Sequence, residues 1–125
     1  METILKIEET TFDGKDGFVI TTSEQSIKLG INNCQSCCEN WGYFMSEDDI
    51  SDFIGAKLID VKITDELLKP SEDFDVNDMY EGGVMFVNLE TDKGLLQFVA
   101  YNEHNGYYGH EACVISKELN ESEYL

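Results

Sequence analysis

Residues 84–90 set Met85, Val87 and Leu89 against Phe86 and Asn88, the turn string Thr91, Asp92, Lys93 and Gly94 follows, and residues 95–102 resume as a strand; no other stretch restricts the fold as tightly. Successive strand side chains point to opposite faces, so a period-two pattern broken by a glycine-containing turn predicts an antiparallel hairpin with Met85, Val87 and Leu89 on one face. Residues 3–8 and 18–22 repeat this arrangement around Asp13, Gly14, Asp16 and Gly17, which predicts a second hairpin. Residues 25–31 and 111–116 read as single strands. Residues 56–64 set Leu58, Asp60 and Lys62 against Ile59, Val61 and Ile63, the pattern of a half-buried strand. Ser46, Glu47, Asp48 and Asp49 resemble a capped helix start, followed by Ile50, Phe53 and Ile54 at helical spacing and Gly55 as a stop. Residues 68–83 hold the one proline, Pro70, and five acids, and read as an exposed loop or flap; residues 120–125 read as a frayed tail. The expected fold is therefore α+β: a mainly antiparallel β-sheet of six or seven short strands with one or two short helices, in a single domain over residues 1–125.

Charge narrows the classes of partner. The chain carries 26 acidic residues against 8 basic ones, a formal net charge of −18, and every basic residue is a lysine. Nucleic-acid binding needs clustered cations to neutralise phosphates, and arginine supplies the bidentate contacts; neither is present. Anionic membranes repel such a chain for the same reason. Residues 34–81 are the most acidic part, with thirteen acids against three lysines. A field of this sign attracts basic proteins and proteins that themselves bind nucleic acid. The opening residues lack a basic segment followed by a long apolar one, and no apolar run reaches the about 18 residues of a membrane span. The expected location is the cytoplasm of a bacterial host cell, with the four cysteines reduced.

Two strings concentrate the scarce residue types. The first runs from Cys34 through Cys37, Cys38, Glu39, Trp41, Gly42 and Tyr43; the second runs from Tyr101 through Asn102, His104, Asn105, Gly106, Tyr107, Tyr108 and His110. Together they hold three of the four cysteines, the one tryptophan and both histidines. Their Cys-Cys-Glu-x-Trp-Gly and His-Asn-Gly-Tyr-Tyr-x-His segments resemble a small family of uncharacterised proteins from bacteria and bacteriophages, over roughly residues 34–116. The resemblance implies a phage or mobile-element neighbourhood and carries over no catalytic residue.

Three chemistries compete for these strings. Cys34 and Cys37 have the spacing of a zinc half-site that His104, His110 or Cys113 would complete, although a full signature would repeat the Cys pair or space its histidines more closely. Cys34, Cys37 or Cys38 activated by His104 or His110 would make a small Cys/His enzyme, with Asn102 or Asn105 orienting the imidazole. An acidic environment raises a thiol pKa and opposes that use. The third is protein binding, with Trp41, Tyr43, Tyr107 and Tyr108 as aromatic anchors and Asp73, Asp75, Asp78 and Glu81 as long-range attractors. Residues 73–78 lack the glycine and bidentate glutamate of a Ca²⁺ loop. The favoured reading is a non-catalytic protein-binding protein without cofactor, monomeric or homodimeric. One concrete form is a phage-type inhibitor of a host defence nuclease, anti-CRISPR or antirestriction, whose carboxylates stand in for phosphates.

Overall fold

The computed structural model describes residues 2–34, 40–47, 49–68, 82–103, 110–117 and 119–125. Nine strands form among them: β1 (Ile4–Phe12), β2 (Lys15–Thr22), β3 (Ser26–Asn32), β4 (Asn40–Met45), β5 (Leu58–Thr64), β6 (Gly82–Thr91), β7 (Gly94–Glu103), β8 (Glu111–Ile115) and β9 (Asn120–Tyr124). The described helical content is one turn of 3₁₀ helix, Ile50–Phe53. This corrects the expected α+β class to all-β. Asp49 does cap the turn, its side chain accepting from the Ser51 N–H at 3.1 Å, and Gly55 follows at φ +89. The turn holds only two apolar residues, Ile50 and Phe53, and buries only Phe53, too small a face to hold a longer helix against a sheet.

All pairings between the strands are antiparallel, and they make two sheets, ordered β1-β2-β3-β8-β9 and β4-β7-β6-β5. The predicted hairpins both form. Asp13 and Gly14, both at positive φ, make the two-residue turn of β1 and β2, so that the strands extend further into the Asp/Gly string than turn chemistry alone implies. The sheets pack crosswise. Lys57, at the start of β5, bridges Thr3 beside β1, whereas the other end of β5 and residue 65 share a groove with Glu123 of β9, at the opposite margin of the five-stranded sheet. One strand of the second sheet thus spans the whole strand order of the first, an orthogonal sandwich.

The core lies between the crossed sheets. Phe18, Ile20, Ile27 and Leu29 enter it from one side, and Met85, Val87, Leu96 and Phe98 from the other. Phe98 is fully buried and meets the Phe18 ring edge-on at 6.1 Å. The four-stranded sheet is covered on its second face as well, where Phe86, Val99 and Tyr101 are buried with Leu67 packed against them. There Gln97 donates to the Asn88 side chain at 2.8 Å and to the Glu66 carbonyl at 2.9 Å, and accepts from the Leu68 N–H at 3.0 Å. The start of the expected flap is therefore pinned to a sheet face.

Three local expectations change. A bulge between Leu58 and Asp60 turns Leu58 inward with Val61 and leaves Ile59 57% exposed, so Ile59 does not share the buried face. Residues 40–45, read in the sequence only for their aromatics, form edge strand β4. The expected frayed tail is strand β9, followed by a buried Leu125 whose backbone exchanges hydrogen bonds with His110 at 2.8 and 2.9 Å.

Truncating Phe98 removes the ring that joins both sheets. Phe98→Ala is expected to lower unfolding free energy by about 3–5 kcal/mol, read from denaturant melts; a loss below about 1 kcal/mol would contradict this account of the core.

Candidate functional site

Both strings connect one sheet to the other at the same end of the sandwich. The first leaves β3 in the five-stranded sheet and enters β4 in the four-stranded one; the second leaves β7 and returns to β8. β4 and β7 are neighbours, with Asn40 opposite Glu103 and Trp41 opposite Asn102. Gly82 is the next partner of Glu103 on β6, so residues 34, 40, 82, 103 and 110 converge on this end.

Asn32 is the node. Its carbonyl lies 2.7 Å from His110 Nδ1, and since a carbonyl can only accept, that nitrogen carries the proton. Its side chain accepts from the Cys34 N–H at 2.9 Å. The His110 ring, 2% exposed, stacks on Trp41 with centroids 5.2 Å apart and planes 27° apart. Trp41 and Tyr43 sit half-buried on the core-facing side of β4. Tyr43 meets Phe18 edge-on at 5.8 Å, and its hydroxyl donates to Glu9 of β1 at 2.9 Å. Burial first, and then the Glu9 hydrogen bond and the Glu9 and Asp16 charges, push the Tyr43 phenol well above its ordinary value. These two aromatics of the expected anchor set therefore also join the sheets.

The other candidates divide clearly. Cys34 is exposed. Cys113 is buried and lies opposite Gly30 on the outer face of the five-stranded sheet, whereas Ala112 and Val114 face the core. Side chains alternate along a strand, so Cys113 points away from the side on which the His110 ring meets Trp41, and the sheet separates them. Burial raises the Cys113 thiol pKa, with Lys15 opposing the rise. The Asn102 side chain donates to the Leu125 carbonyl at 3.2 Å. Among the described residues no group of three His, Cys, Asp or Glu side chains is placed to hold a metal. Cys37, Cys38, Asp73, Asp75, Asp78, Glu81, His104, Asn105, Tyr107 and Tyr108 lie outside the described residues.

Charge is unevenly spread. Register places Lys6, Lys15, Lys28, Glu8 and Glu111 on the outer face of the five-stranded sheet, where Lys6 meets Glu8 at 3.0 Å and Lys15 meets Glu111 at 3.5 Å. There the Phe12 ring fills the space above Gly30, with Lys28 Nζ 5.8 Å from its centre. This face is close to neutral. Other described carboxylates lie elsewhere, among them Glu47, Asp49 and Asp52 around the 3₁₀ turn, Asp65 and Glu66 after β5, and Glu121 and Glu123 on β9. The sequence reading missed Asn32, Gln97 and the β9 glutamates. For Gln97 the signal was a polar residue inside the apolar string of residues 95–100.

A family described as a domain of unknown function, DUF7448, has a model that matches residues 1–114. No curated protein and no solved structure matches the chain.

The raised Tyr43 value makes a pH prediction. A phenol whose pKa is higher folded than unfolded stabilises the fold fully below the unfolded value of about 10 and loses that contribution as pH rises toward the folded value. Tyr43→Phe is expected to cost about 0.5–1.5 kcal/mol at neutral pH. It is also expected to remove one tyrosine that titrates above the ordinary range from an alkaline absorbance titration. An unchanged titration would contradict the Tyr43 to Glu9 assignment.

Proposed function

The chain belongs to the DUF7448 family, and within that frame we propose that it is an acidic, non-catalytic protein-binding protein whose carboxylates engage the basic surface of a nucleic-acid-binding protein. The observation that carries the reading is the distribution of charge on an all-β scaffold. A formal −18 is set against three ion pairs among the described residues, and the near-neutral outer face leaves the excess on the remaining surfaces. Phosphates on a duplex are likewise fixed and uncompensated, and a protein groove built for them meets carboxylates with the same sign of field. A sandwich held by a buried core presents the carboxylates of its described strands and turns without ordering a flexible chain on binding, which lowers the entropic cost of association. In a bacterial or phage setting the matching partner is a defence nuclease of the CRISPR or restriction type, inhibited by occupation of its nucleic-acid groove.

Cytoplasmic action belongs to this proposal. No described helix is long and apolar enough to cross a membrane.

A second reading, a structural zinc site, is favoured by Asn32 alone. A metal-bound histidine commonly donates its other ring N–H to a backbone carbonyl, as His110 does to Asn32, and Cys34 is tethered to the same residue. Cys34 and His110 would need Cys37 and His104 to complete the set. Zinc added to chelator-treated protein should then raise the melting temperature and alter the emission of Trp41, the one tryptophan. No change in either would remove this reading.

For the favoured reading, biosensor kinetics against purified restriction and CRISPR nucleases are expected to show a complex whose association rate falls by about tenfold or more as salt rises from low to several hundred millimolar. Replacing Asp73, Asp75 and Asp78 by Asn should slow association and leave dissociation nearly unchanged. A salt-independent association rate would overturn the electrostatic reading.

A further inference from the structure

We propose that the edge of β9 that pairs with no other described strand is a docking site for an extended, lysine- or arginine-bearing segment of the partner protein, which joins the five-stranded sheet as a further strand. The inference rests on the protein-binding reading and names its surface and the form of the partner. β9 ends the strand order of its sheet, and all five of its residues are exposed. The hydrogen bonds beyond its two ends set the phase of the ladder. His110 and Leu125 exchange both backbone bonds, and the Ser116 N–H donates to the Leu119 carbonyl at 2.6 Å. Hydrogen-bonded pairs alternate with non-bonded ones in an antiparallel ladder, so Ala112 with Glu123 and Val114 with Glu121 are the bonded pairs. The N–H and C=O groups of Asn120, Ser122 and Tyr124 therefore point outward, away from β8, at the spacing another strand requires.

Side chains choose the partner. Glu121 lies opposite Val114 and Glu123 opposite Ala112, and both of those partners face the core, so the two glutamates stand on the core side of the sheet. They are nevertheless exposed, as is every residue of β9. Glu123 borders an open groove of about 610 Å³ whose other described walls are Lys62, Ile63, Thr64 and Asp65. Lys62 is the single described cation there.

A second copy of the chain suits this edge poorly. Pairing β9 with itself would set Glu121 and Glu123 against their own copies, and charges turned inward on an edge strand are a known device against self-pairing. A strand with lysine or arginine at alternate positions reverses the sign. Glu121 and Glu123 occupy non-bonded positions toward an added antiparallel strand, where opposed Cα atoms approach to about 4.5 Å and side chains are closest. Main-chain bonds from residues 120, 122 and 124 would supply affinity, and the carboxylates would select for charge.

The test uses a labelled synthetic peptide alternating lysine with threonine or valine, followed by anisotropy. The lysine peptide should bind, and its glutamate counterpart should not. N-methylation of the threonine and valine amides, which face β9, should weaken binding by about tenfold or more, whereas methylation of the lysine amides should have little effect. Ser122→Pro removes one outward N–H and no bond to β8, and should weaken binding comparably at an unchanged melting temperature. If that variant fails to fold, the methylated peptides decide. Amide exchange at Asn120, Ser122 and Tyr124 should slow in the complex.

Binding indifferent to methylation would overturn the docking site while leaving the protein-binding reading intact, since charge alone would then hold the peptide. No peptide binding by a protein that still engages a nuclease in a salt-dependent manner would do the same. A dimer dissolved by Ser122→Pro would show that a second copy occupies the edge and would overturn the basic partner.

Discussion

Phe18, Tyr43 and Phe98 meet where the two sheets cross, and the placement of both strings follows from that contact. Phe18 belongs to the five-stranded sheet, Tyr43 and Phe98 to the four-stranded one, and their centroids lie 5.8 to 6.3 Å apart. Because the sheets cross, edge strand β4 runs from the His110 side of the first sheet to Glu9 on its opposite margin. Trp41 and Tyr43, two residues apart on one face of one strand, thereby hold two distant parts of that sheet. The connections between sheets gather at the Trp41 end, and there Asn32 fixes the backbone of Cys34 and the ring of His110.

Most strands were legible in the sequence because period-two patterning and Asp/Gly turns are local signals. The hairpins around Asp13 and Gly14 and around residues 91–94 needed nothing else. What failed to show was what tertiary contact decides. β4 carries aromatics on both faces, Trp41 and Tyr43 toward the main core and Phe44 toward the second, so it shows no alternation. β9 has the polar sequence Asn-Glu-Ser-Glu-Tyr and forms because β8 offers a ladder and Leu125 finds a buried site. The helix-like spacing of Ile50, Phe53 and Ile54 yielded one 3₁₀ turn, with Ile54 left exposed. Of the candidate site, the charge was evident from composition, whereas the opposite facings of Cys113 and His110 depended on strand register.

The same charge that suits a basic partner works against the fold, since like charges on a small sandwich repel. On the outer face of the five-stranded sheet lysines offset the carboxylates, where Lys6 meets Glu8 and Lys15 meets Glu111. Lys15 and Lys28 lie on the outer face beside the Gly17 and Gly30 pair, where an added Cβ on Gly17 would fall 1.9 Å from the Leu29 carbonyl. Glu2, the one buried carboxylate among the described residues, accepts from the Thr22 hydroxyl and from the Gln25 amide at 2.7 Å. The remaining carboxylates among the described residues are partly or fully exposed, so their solvation is largely retained and their field reaches outward.

The central claim is that this field substitutes for nucleic acid on a partner's surface. Displacement measures it most directly: labelled duplex DNA bound to a purified defence nuclease, catalytically inactivated, is titrated with the protein and followed by anisotropy. Substitution predicts release of the DNA, with an apparent affinity that falls as DNA concentration rises. A stable ternary complex, with the DNA still held while the protein is bound, would contradict it.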